Sequence, residues 1–105
     1  MDLAEKAENV LEKEEELIAS HMHFIKENAQ ILTQEGDLIS YVQETEEYDI
    51  DYYVEKIGKI AARKLQMYMQ LRDKINDFKK SIKEEEEMHR ASIAKKNGLR
   101  LKPPH

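Results

Sequence analysis

Apolar residues recur in adjacent pairs every seven positions through the first part of the chain: Val10/Leu11, Leu17/Ile18, Phe24/Ile25, Ile31/Leu32 and Leu38/Ile39. Met22 and Ala29 fill in beside them. A seven-residue repeat keeps side chains on one face of a helix, so the pattern predicts a helix over about 3–45. Three apolar positions per heptad make a stripe wider than a two-stranded seam needs. Gly36-Asp37 resembles a helix stop followed by a cap, but the apolar phase carries straight across it, and the helix is expected to continue with a soft spot there. A second run starts at Ile50 and steps through Val54, Ile57, Ala61, Tyr68, Leu71, Ile75, Phe78 and Ile82, broken only at Lys64. It predicts a helix over about 50–97, with Asn97-Gly98 as its stop and 98–105 as a flexible tail.

The joint between the runs is residues 46–49. Asp49 is placed as the N-cap of the second helix, its carboxylate accepting from the orphan backbone N–H groups that follow. Tyr48 and Tyr53 then occupy the two positions of a hydrophobic staple, and Asp51 lies in the first turn, where a negative charge suits the helix dipole. Folding the chain back about Tyr48 sets Ile39 against Ile57, Ile25 against Leu71 and Ile18 against Phe78. The expected architecture is therefore all-α, two long antiparallel helices in a hairpin. Its seam is formed by Ile18, Ile25, Leu32 and Ile39 from the first helix and Ile57, Leu71, Ile75 and Phe78 from the second. A second set of rows, Phe24, Ile31 and Leu38 with Tyr53, Ile60 and Met67, is left over. These rows are expected to form a dimer face on which two chains build a four-helix arrangement.

Charge agrees with the antiparallel order. Residues 1–49 hold fourteen acids against three lysines, whereas 56–83 hold nine bases against Asp73 and Asp77. The simplest outcome is mutual neutralisation of the two halves. The acidic run Glu12 to Glu16 is expected beside Lys79, Lys80 and Lys83. Composition narrows the class further. Of 105 residues, 37% are charged and 40% hydrophobic, with three Gly and two Pro, which fits helices carrying narrow apolar stripes rather than a sandwich or barrel. There is no cysteine, which excludes disulfides and thiolate metal sites. No apolar run approaches the ~20 residues that span a bilayer, and the N-terminus does not read as a signal peptide, so a cytoplasmic or nuclear protein without membrane contact is expected.

Residues that carry chemistry are sparse. His21 and His23 are two apart and point to different sides of a helix. Glu86-Glu87-Met88-His89 supplies a single Glu-x-x-His, whereas a di-metal bundle needs two plus further carboxylates. No phosphate loop or nucleophile–base motif is present, so no enzyme, metal or cofactor is expected. Lys79-Lys80-x-x-Lys83 is crowded by acids and does not read as a nucleic-acid face. Arg90-Ala91-Ser92 matches a short basophilic-kinase pattern that also arises often by chance.

Glu46-Glu47-Tyr48-Asp49-Ile50-Asp51-Tyr52-Tyr53, then Leu71-Arg72-Asp73-Lys74-Ile75-x-x-Phe78, then Ile82 and Glu84 to Glu87, resemble the C-terminal region of kinesin-13 motors, the internal-motor, microtubule-depolymerising kinesins. Upstream, Leu11-Glu12-x-Glu14-Glu15-Glu16-Leu17-Ile18-x-x-His21 resembles the helical segment that precedes that region. The likeness covers roughly residues 10–87, and Gly36 departs from the pattern. It implies a non-catalytic dimerisation and regulatory region. Such a region partners itself and a kinesin motor domain, reaches tubulin only indirectly, and is located on cytoskeletal microtubules and the spindle. The alternative is a free-standing helical adaptor that docks an unrelated protein.

Overall fold

In the computed structural model the backbone is described for residues 2–101 and side chains for 2–97. Two elements account for almost all of it: α1, Leu3–Glu44, of 42 residues, and α2, Ile50–Leu101, of 52. No strand occurs among the described residues. Asp2 starts α1, its Oδ1 accepting from the Glu5 amide at 2.8 Å, and the Asp-x-x-Glu spacing is that of a capping box. Neither Gly36 nor Gly58 interrupts its helix, and no glycine has positive φ among the described residues. α2 passes through Asn97-Gly98 and ends at Leu101, four residues past the expected stop. A glycine ends a helix when it takes the left-handed conformation, and the Leu99-Arg100-Leu101 that follow are good helix formers. The rest of the expected tail, 102–105, lies outside the described residues.

The chain divides into two compact units, Ile18–Asp73 and Met1–Leu17 with Lys74–His105. In each, a piece of α1 packs antiparallel against a piece of α2. The unit around the joint has the drier core: Ile31, Leu38 and Met67 are 6%, 7% and 3% exposed. Phe24, Tyr53, Ile57, Ile60 and Leu71 are half-buried beside them. Phe24 and Tyr68 stack at 5.2 Å between ring centroids, and Tyr41 packs edge-on against both Tyr48 and Tyr52. Arg63 donates from Nε to Glu27 at 2.6 Å, and Lys64 meets Glu35 at 2.5 Å.

The second unit is held by half-buried Val10, Leu17, Ile75, Phe78 and Ile82, together with a polar seat. Ser81, 5% exposed, accepts a hydrogen bond from Asn9 Nδ2 at 3.1 Å. Lys6 pairs with Glu84 at 2.7 Å and Lys74 with Glu16 at 3.6 Å. The acidic run thus reaches α2 through Glu16 and Lys74 among the described ion pairs, and Lys74 precedes the expected Lys79, Lys80 and Lys83 by more than one helical turn.

Two expectations about packing are corrected here. On α1 the expected seam residues Ile18, Ile25, Leu32 and Ile39 are 52%, 54%, 56% and 45% exposed. The row expected to face a second chain is instead what closes the joint-proximal unit, through Ile31, Leu38 and Met67. The physical reason is register. Glu27–Arg63 in one unit, and Lys6–Glu84 and Asn9–Ser81 in the other, are each symmetric about residue 45 rather than Tyr48. α1 stops at Glu44 and the connection occupies 45–49, so α2 slides relative to the expected partners. α1 then presents the first member of each apolar pair, about 100° around the helix from the second.

Candidate interaction surface

The joint is built by one aspartate and one tyrosine. Asp49 Oδ1 accepts from the amides of Asp51 at 3.0 Å and Tyr52 at 3.2 Å, satisfying two orphan donors at the start of α2. The amide of Asp49 itself donates to the Tyr41 hydroxyl at 2.8 Å, which ties the last turns of α1 to the cap of α2. No helical period points to Tyr41, whose role depends on a contact eight residues away.

With the seam fixed, the joint-proximal unit presents two unlike sides. On α1 the seam row is Phe24, Ile31 and Leu38, and on α2 it is Tyr53, Ile60 and Met67. One residue further along either helix turns about 100°. Because the helices are antiparallel, that turn leads to the same side on both. Ile25, Leu32 and Ile39 from α1 therefore share a side with Val54, Ala61 and Tyr68 from α2. The large ones among these are 45–57% exposed. One ion pair, Lys64 with Glu35, borders the apolar rows, and its Glu35 oxygen is buried against the ammonium without a well-aligned hydrogen bond.

The opposite side is polar. There α1 and α2 border an open groove of about 770 Å³, with Ile31, Leu38 and Ile60 at its floor and Gln34, Asp37, Tyr41, Lys56, Lys59 and Arg63 on its walls. Its cations are engaged within the chain: Arg63 with Glu27, Lys59 with Glu55 at 3.0 Å, and Lys56 over the Tyr52 ring at 5.6 Å.

In the other unit, Glu84 has its carboxyl held below the ordinary value. The hydrogen bond from Lys6 is the largest cause, followed by the charge of Lys6, and the charge of Lys80 adds to both, against a smaller opposing effect of desolvation. Among the described residues no group of three or more His, Asp or Glu is arranged to hold a metal ion, and no helix is long and apolar enough to cross a membrane. His21 and His23 lie exposed on α1, with His23 Nε2 3.6 Å from Glu27. The Ile18–Asp73 unit thus presents one apolar and one charged side.

Over 91 residues, 85% of its length, the chain is 31% identical to the diatom spindle kinesin-1 of Cylindrotheca fusiformis. That stretch is 15% of the relative, so the chain spans about a seventh of the length of the kinesin it matches. The likeness is to a kinesin-related helical region and does not single out kinesin-13. No family model matches the chain, and no solved structure matches it.

Proposed function

We propose that this chain is a non-catalytic dimerisation and regulatory region of a microtubule-depolymerising kinesin-13, which contacts the motor domain and restrains it. The observation that carries the reading is the likeness to a spindle kinesin along 85% of a chain made of two long packed helices. The Tyr48-Asp49-Ile50-Asp51 joint and the Leu71-Arg72-Asp73-Lys74-Ile75 segment direct it to kinesin-13. Its partners are a second copy and a motor domain, with tubulin reached through the motor, and its place is the microtubule cytoskeleton and spindle. The opposite charges of α1 and α2 give a motor domain two electrostatically distinct surfaces to meet.

The test is addition in trans. The 105-residue chain is titrated into a kinesin-13 motor domain while microtubule-stimulated ATP hydrolysis and tubulin release are followed. A saturable fall in both, with no effect on a motor from another kinesin class, is the expected result. Equal inhibition of both motors would overturn the kinesin-13 assignment. No binding to any kinesin motor would favour the free-standing adaptor instead.

A further inference from the structure

We infer that the apolar side of the Ile18–Asp73 unit is the surface on which a second copy docks, α1 and α2 of each copy packing face to face into four helices. The inference rests on the self-association part of the function proposed above and identifies the surface that performs it. The opposite side of the same unit, with its engaged cations and open groove, remains in water.

Three observations converge on that side. The first is the exposed apolar row itself. Ile25, Leu32 and Ile39 on α1 and Val54 and Tyr68 on α2 are 45–57% exposed in a chain of which 37% is charged. Contiguous apolar surface of this extent marks an interaction site rather than ordinary surface.

The second observation is the placement of the glycines. Gly36 and Gly58 both sit inside helices, where each costs stability relative to alanine. A Cβ added to either would meet nothing within 4 Å, so packing inside the chain does not require a glycine at either place. Each lies two residues before a seam residue, Leu38 and Ile60, and that offset turns both about 160° from the seam, to the outer edge of the apolar side. There a glycine has a use if another helix comes close: Ile25 and Leu32 of one copy meet Ala29 and Gly36 of the other. Bulky opposite small is the arrangement that lets facing layers interdigitate, and an antiparallel pairing of the two α1 segments provides it. A parallel, in-register pairing would set Gly36 against Gly36 and leave a void.

The third observation is area and charge. From Ile18 to Ile39 a helix runs roughly 30 Å, and two helices side by side are roughly 20 Å wide. The face is thus on the order of 600 Å² per copy, within the range of specific interfaces. Its bordering ion pair, Lys64–Glu35, is already neutralised within the chain. A partner for this side must itself be apolar over the same area, and the chain's own face has that composition.

Sedimentation equilibrium of the full chain is the test, with helicity followed in parallel by circular dichroism. The wild-type chain should be dimeric at about 100 μM and dissociate on dilution, as a micromolar constant requires. Leu32→Asp, on the face but outside the seam, should weaken association by at least roughly 30-fold, the size of a central contact, while leaving helicity of the dilute chain unchanged. Gly36→Leu serves where a charge might unfold the chain. It should raise the thermal midpoint of the dilute chain, because leucine is the better helix former and has room, yet weaken the dimer. Lys59→Ala, on the opposite side, should leave association as it is. A wild-type chain that stays monomeric at that concentration overturns the inference, and so does a Leu32→Asp or Gly36→Leu chain that dimerises as tightly as wild type. Motor restraint is read separately in the ATPase assay. A dimer without restraint retains this surface and loses the regulatory role, whereas restraint by a monomer does the reverse.

Discussion

Ile31 and Leu32 are neighbours in sequence, similar in size and both in the middle of α1, yet the structure assigns them opposite roles. Ile31 is 6% exposed and forms the floor between α1 and α2, whereas Leu32 is 56% exposed. Truncating a buried isoleucine to alanine costs about 2–5 kcal/mol, and the spread depends on the cavity left behind. Among the described residues only Ile31, Leu38 and Met67 are buried apolar side chains, none of them completely, and the core opens onto a groove, so a low value is expected, about 2 kcal/mol. In a domain of this size 1 kcal/mol shifts the thermal midpoint by about 4–8 °C, so Ile31→Ala should lower it by roughly 8–16 °C. Leu32→Ala removes less than half of a full burial, about 1 kcal/mol at most, and alanine is an excellent helix former. The comparison is made by circular dichroism melts at low micromolar concentration, where one chain is observed without its copy. Equal losses for the two variants, or a larger loss for Leu32→Ala, would refute the assignment of the seam to the first member of each apolar pair. At high concentration the inferred docking of a second copy would narrow the gap, because it covers Leu32.

Asp49→Ala removes the acceptor for the Asp51 and Tyr52 amides and should cost about 1 kcal/mol, while Asp49→Asn keeps most of the cap; an alanine variant that melts with wild type would remove the cap from the account. Glu84 gives a pH dependence of defined sign. Its carboxyl is held below the ordinary value chiefly by Lys6, so the contribution of this pair is complete above the unfolded carboxylate pKa, about 4.3, and is lost as pH falls through the lower folded value. Melts of wild type and Lys6→Met should therefore differ at pH 7 and converge at low pH, and a difference that persists at pH 2 would assign the effect of Lys6 to packing instead.

The two helices, the continuity of α1 through Gly36 and the antiparallel order were legible because each rests on a strong local signal. Those signals are a seven-residue apolar repeat, a near absence of Gly and Pro, and acids and bases segregated into the two halves. The phase of the seam was not legible, and the reason is specific. Every heptad of α1 from Val10 to Ile39 offers two adjacent apolar residues, so periodicity defines a stripe without saying which edge of it points inward. The choice is made by the connection. Thr45 donates to the Tyr41 carbonyl at 3.1 Å, and the Tyr41 hydroxyl accepts from the Asp49 amide, which sets the number of residues between the helices and hence which side chains meet. That contact is tertiary, and a shift of a few residues there moves every pairing along the seam.

The doubled apolar pairs then have a physical reading of their own. A chain that closed only upon itself would be better served by one apolar and one polar residue in each pair, because the outward member gains nothing from facing water and adds a liability to aggregate. In the Ile18–Asp73 unit the outward members are instead Ile25, Leu32 and Ile39. They share their side with Val54 and Tyr68, and the helical glycines that nothing inside the chain explains fall there too. The same sequence period thus sets two apolar faces about 100° apart, one closed within the chain and one open to the second copy inferred above. A stripe too wide for a two-helix seam, which looks like ambiguity at the level of sequence, is what a helix needs when it must satisfy a partner on each of two adjoining faces.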